Sequence, residues 1–90
     1  MKKKLIFPAF VHKGKKTFGV SFPDFPGCVT AHENLEDARK MASEALELHL
    51  EGMLEDGEKI PDPSRKIKIN KSIKDGLIAI VEIEAVVDLQ

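Results

Sequence analysis

The chain has one cysteine, no tryptophan and no tyrosine, and each shortage removes a class of explanation. With Cys28 alone an intrachain disulfide is impossible, which fits a reducing cytosol. His12, His32 and His49 do not share a ligand-like spacing, and with one cysteine they compose no zinc signature, so neither metal nor cofactor is expected. All five aromatic residues are Phe and fall within the first 25 positions, which leaves no series of rings on which single-stranded bases would stack. Long apolar runs are missing as well. The longest, Leu77 to Val81, is far short of the roughly 20 residues that a membrane-spanning helix needs. Met1-Lys2-Lys3-Lys4 before Leu5-Ile6-Phe7 has the start of a secretory signal. Pro8, His12 and Lys13 cut it short with no small-residue cleavage site, so it reads as a strand with a basic leader and the expected location is the cytoplasm. No internal repeat or low-complexity segment is present.

What is there suffices for one domain over residues 1–90, near the low end of what a single core stabilises alone, so a protein partner or self-association is expected. Net charge is −1, yet its distribution is segregated. Lys2, Lys3, Lys4, Lys13, Lys15 and Lys16 stand with no acid among the first 16 residues, whereas residues 33–58 carry nine acids against Arg39 and Lys40. Either that acidic stretch is a solvated helix face, or it attracts a basic protein and repels phosphate.

Leu5 to Val11 and Thr17 to Phe22 read as a β-hairpin around Lys13-Gly14-Lys15-Lys16, with Phe18, Val20 and Phe22 inward. Pro8 cannot donate to a ladder and marks an open edge or a bulge. In Phe22-Pro23-Asp24-Phe25-Pro26-Gly27-Cys28 two prolines and a glycine leave little freedom, which makes a rigid corner where sheet gives way to helix, with a short third strand over Cys28 to His32. Asn34 is an N-cap with Asp37 three residues on, and the helix runs from Leu35 toward Gly57. At 100° per residue Leu35, Ala38, Met41, Ala42, Ala45, Leu46, His49 and Met53 share the inner side, and Lys40, Glu44, Glu47, Glu51 and Glu55 the outer. Ile60-Pro61-Asp62-Pro63-Ser64 stops the helix from resuming. Arg65 to Ser72 is a short edge strand or an ordered loop. After the Asp75-Gly76 turn, Leu77 to Val87 is the longest strand, its second face apolar at Ile78 and Ile80, which implies that one end is covered on both sides. The fold class is α+β: a three-stranded antiparallel meander, one long helix packed on the sheet and a long C-terminal strand, β-β-β-α-β.

Phe18-Gly-Val-Ser-Phe22-Pro23-Asp24-x-Pro26-Gly27-Cys28-x-Thr30, then Leu35-Glu36-x-Ala38, Glu44-Ala45-Leu46-Glu47-Leu48-x-Leu50-Glu51-Gly52 and Ile60-Pro61-x-Pro63-Ser64, resembles the HicB antitoxin family over most of residues 4 to 64. The resemblance implies a truncated ribonuclease H-like fold. It also implies a non-catalytic inhibitor whose partner is a small basic RNA-cleaving toxin, HicA. Longer family members carry a C-terminal ribbon-helix-helix or helix-turn-helix for operator DNA. This sequence ends at Gln90 without room for one, so no C-terminal DNA-binding domain and no direct DNA contact are expected. Two positions depart from the family pattern, His32 where glycine is frequent and His49 where an aromatic residue is frequent.

Candidate sites follow. Asp24, Phe25 and Pro26 are read as rigid corner contacts to the partner, and Glu44, Glu47 and Glu51 as its acidic counterpart. Charge would recruit the toxin and buried apolar contacts would hold it. Cys28 lacks a neighbouring base and orienting group and reads as a buried structural residue rather than a nucleophile. Asp24, Glu44 and Glu47 suggest the carboxylates of a two-metal nuclease, but the helix acids project outward rather than into a pocket, so no catalytic residue is assigned. A homodimer is expected because the last strand is long and apolar. The alternatives are a stand-alone dimeric regulatory or ligand-binding domain without a toxin partner, and a nucleic-acid-binding module built on the lysines.

Overall fold

The computed structural model describes residues 1–67, 69 and 71–88, leaving aside the side chain of residue 72. Its elements are β1 (Lys2–Lys13), β2 (Phe18–Phe22), β3 (Phe25–His32), α1 (Leu35–Glu55), a four-residue α2 (Lys71–Lys74) and β4 (Leu77–Asp88). The strands form one antiparallel sheet in the order β3-β2-β1-β4. This is the expected frame, three strands, a long helix and a C-terminal strand, with α2 added.

β1 is the axis. It pairs β2 from Phe10↔Ser21 to Lys13↔Phe18 and pairs β4 from Lys2↔Asp88 to His12↔Leu77. Pro8 therefore lies where β1 has a strand on one side only, among the described residues, and its missing N–H costs no ladder bond there. The bulge in this pair falls between Val11 and His12 instead.

Strand alternation sends Phe7, Ala9 and Val11, Val20 and Phe22, and Ile83, Ala85 and Val87 to one face, where α1 covers them. The buried row of α1 is Ala38, Ala42, Leu46 and Leu50. The row passes from two methyl side chains in the first half of the helix to two leucines in the second. Met41 flanks this row and is 41% exposed, and Leu35, in line with it but first in the helix, is 38% exposed. Both were expected inside. Leu50 takes their place, because the packed row advances by four residues per turn and only its centre meets the sheet.

The caps of α1 follow the sequence. Asn34 Oδ1 accepts the Asp37 N–H at 3.2 Å. At the other end Gly57 at φ +75° lets its N–H donate to the Leu54 carbonyl and the Glu58 N–H to that of Met53, a Schellman pair.

Three expectations are corrected. The third strand starts at Phe25, not Cys28, because Pro23-Asp24 is a two-residue turn that returns the chain into the sheet as Phe22↔Phe25; the corner joins strand to strand, not sheet to helix. Of the short edge strand or ordered loop expected over Arg65 to Ser72, no strand forms among the described residues, Lys68 and Asn70 lie outside them, and the correction is that Lys71 opens α2. The apolar end of β4 is not covered twice, since Ile78 and Ile80 are 52% and 46% exposed. The cover goes to β1. Phe10 is buried on the face away from α1, beside the His12 ring, whose Nε2 pairs with the Ile73 carbonyl at 2.6 Å.

Candidate partner-binding surface

The corner and the helix exit, far apart in sequence, meet. The Asp24 carboxylate accepts the Ser64 N–H at 3.1 Å and the Ser64 hydroxyl, so the Ile60-Pro61-Asp62-Pro63-Ser64 segment is tied to the β2–β3 turn. Asp24 thus spends its charge inside the chain. Phe25 is a core residue, edge-on to Phe7 at 4.8 Å and to His49 at 5.3 Å between ring centroids. His49 stands where an aromatic was expected and does a ring's work. Pro26 alone of the three corner residues faces solvent, held out by a bulge in which Pro26, Gly27 and Cys28 have no partner on β2 and Gly27 adopts φ +90°.

The three glutamates also part company. Glu44 and Glu51 are exposed, whereas Glu47 is half-buried and its Oε2 accepts the Val86 N–H at 2.7 Å. One turn earlier the Ser43 hydroxyl donates to the Glu84 carbonyl at 2.5 Å. Ser43 and Glu47 are spaced i, i+4, so one flank of α1 hydrogen-bonds the free edge of β4. Glu47 is a strand cap, not a free acid.

Among Glu44, Glu51 and Glu55 sits Leu48, 72% exposed, the most exposed aliphatic residue of the helix, with Met41 one heptad before it. The outer face of α1 is therefore an apolar pair within an acidic rim. Sequence reasoning passed over Leu48 because it looked for apolar residues only on the inner face. The same helical wheel that gathers Glu44 and Glu51 places Leu48 between them.

The acids carry a cost that burial does not explain. Glu36 and Asp37 suit the N-terminal end of the helix dipole, but the last turn holds Glu55, followed by Asp56 and Glu58, and no basic residue. Negative charge there opposes the dipole by about 0.3–1 kcal/mol per residue.

The other reactive side chains are structural. Cys28 is buried, and that burial pushes its thiol above the usual range, away from the thiolate that a nucleophile requires. His32 Nδ1 accepts the Asn34 N–H at 3.2 Å and lies 3.9 Å from Asp37 Oδ2, steadying the helix start. Among the described residues no three His, Cys, Asp or Glu gather as a metal site requires, and no helix is long and apolar enough to cross a membrane.

A family model described as the HicB_like antitoxin of bacterial toxin-antitoxin system matches residues 7–89. The chain belongs to the HicB-like antitoxin family. It is 33% identical over 66 residues to Antitoxin HicB 2 of Photorhabdus laumondii, covering 73% of this chain and 48% of that protein. It is 34% identical over 82 residues to an uncharacterized 14.9 kDa protein in the rep-hol intergenic region of Haemophilus phage HP1, covering 89% of this chain and 62% of that one. The chain thus spans about half to three-fifths of the length of these two relatives. Among solved structures it resembles a chain of the HicA3 and HicB3 toxin-antitoxin complex, with a TM-score of 0.66 and 27% identity over 94% of this chain and all of that one.

Proposed function

We propose that the chain is the antitoxin of a type II toxin-antitoxin pair, a non-enzymatic inhibitor that binds a small basic toxin of HicA type and blocks RNA cleavage by covering the toxin's RNA-binding and active site. On this reading its sheet-and-helix frame is a ribonuclease H-like remnant without catalysis, acting in the cytoplasm. The observation that carries the reading is the outer face of α1, where Leu48 and Met41 stand exposed between Glu44, Glu51 and Glu55. A surface that holds RNA is cationic, and an acidic rim competes for it with phosphate, while a central aliphatic anchor supplies the slow dissociation that charge alone does not. Family membership and the likeness to an antitoxin solved with its toxin support the partner's class.

Within this surface Glu44 and Glu51 act directly and Pro26 is the exposed corner contact. Asp24, Phe25 and Glu47 position the frame, the first by the Ser64 tether, the second from the core and the third at the β4 edge. The test is co-expression with a small basic protein encoded by a neighbouring reading frame. Growth arrest by that protein alone, relieved by this chain, supports the proposal; no complex and no relief refute it.

Part of the lysine set that motivates the rival reading of nucleic-acid binding gathers at one end of the molecule. The Lys13 N–H donates to the Gly76 carbonyl at 2.8 Å, which brings the Lys13-Gly14-Lys15-Lys16 turn beside Lys71 and Lys74 of α2. A polarisation titration with a labelled RNA separates the two, since phosphate binding falls steeply with salt.

A further inference from the structure

The chain holds five prolines, and four of them fall in two short strips, Pro23-Asp24-Phe25-Pro26 at the corner and Pro61-Asp62-Pro63 at the helix exit, with Pro8 apart on β1. The Asp24 carboxylate joins the strips by accepting the N–H of Ser64, the residue after Pro63, at 3.1 Å and the Ser64 hydroxyl as well. Each strip is also rooted in the core, one by the buried Phe25 and the other by Ile60, which precedes Pro61 and packs against the core cluster. The prolines stay outside. Pro26, Pro61 and Pro63 are exposed and Pro23 is half-buried. Because proline fixes its own φ, a strip held at both a root and a tether has little freedom left to lose on binding. The two strips form a stiff, largely apolar ridge.

We propose that this ridge, Pro26 with Pro61 and Pro63, docks against aromatic rings on the toxin partner, an inference that rests on the antitoxin reading. Extended proline-bearing segments are recognised by aromatic-lined grooves, because the rings pack on a surface that is already formed. Aromatic side chains are also enriched among the residues that carry most of an interface's affinity. Charge selects which protein supplies them. Asp62 stands exposed between the two exit prolines, and Pro61 comes three residues after Glu58, at the acidic end of α1. A basic partner drawn to that end of the helix meets the ridge next, and the acid within the ridge suits the same cationic surface. The rings come from the partner, since this chain has no tryptophan or tyrosine and its own Phe25 is engaged in the core with Phe7 and His49.

The test is an NMR titration of the intact, isotope-labelled chain with the unlabelled small basic protein of the neighbouring reading frame. An aromatic ring stacked on proline moves the proline ring protons upfield. Pro26, Pro61 and Pro63 should shift in this way on binding, while Pro8, away from the ridge, should not. In calorimetry the double variant Pro61→Ala, Pro63→Ala should stay folded and bind at least about tenfold more weakly, the loss of an anchor contact. Asp24→Ala keeps every proline and removes only the tether between the strips, and it should weaken binding too. A complex without the upfield shifts, or wild-type affinity in either variant, overturns the ridge while leaving occlusion by α1 intact. No complex with the wild-type chain overturns both.

Discussion

Asp24 holds two segments with one carboxylate, accepting the N–H and hydroxyl of Ser64, and no neighbouring cation competes for it among the described contacts. Asp24→Ala should lower stability by about 1–2 kcal/mol, the worth of partly exposed bonds to a charged acceptor, read as a shift in the urea midpoint without a change in slope. Thr30 offers the opposite case: its buried hydroxyl has no hydrogen-bond partner among the described residues, so Thr30→Val should be neutral or stabilise the chain by up to about 1 kcal/mol in the same measurement. The Cys28 thiol, buried and held protonated, should resist alkylation at pH 8 in the native chain and react at the ordinary rate in denaturant. The sequence already marked Cys28 as structural, since free cysteine is among the most buried residue types. It did not reveal that Phe25 belongs to the core. A phenylalanine between two prolines has no periodicity to read, and its contacts, Phe7 and His49, come from distant segments.

Elements with a clear repeat were legible: α1 from its cap and 3.6-residue pattern, the hairpin and β4 from alternation and turn residues. The start of β3 was not, because Pro23 and Pro26 suppress the strand signal while the turn between Phe22 and Phe25 keeps the strand paired. Nor was the role of Glu47, since periodicity gives a residue's angle on the helix but not the strand edge lying beside it. Glu47→Ala should free the Val86 N–H and cost about 1–3 kcal/mol, and hydrogen exchange at Val86 should quicken before the rest of β4. The acids that end α1 yield a sharper test of purpose. Glu55→Lys should stabilise the isolated chain by about 0.3–1 kcal/mol by complementing the dipole, and at low salt it should slow association with a basic partner.

At the scale of the whole molecule, a helix and a sheet divide the labour. The sheet supplies the face on which α1 packs, and the outer face of α1 presents acids around an aliphatic centre. The segregation of charge that stands out in the sequence becomes a division between that helix face and a lysine-bearing end where the β1–β2 turn meets α2. The most direct test of the account is RNA cleavage by the proposed partner toxin titrated with this chain, comparing wild type with the triple variant Glu44→Lys, Leu48→Asp, Glu51→Lys. The account predicts that wild type stops cleavage stoichiometrically and that the folded variant loses at least about a hundredfold in inhibitory affinity, the loss of a central anchor and its rim. Inhibition by the variant at wild-type concentrations would show that the toxin is held elsewhere.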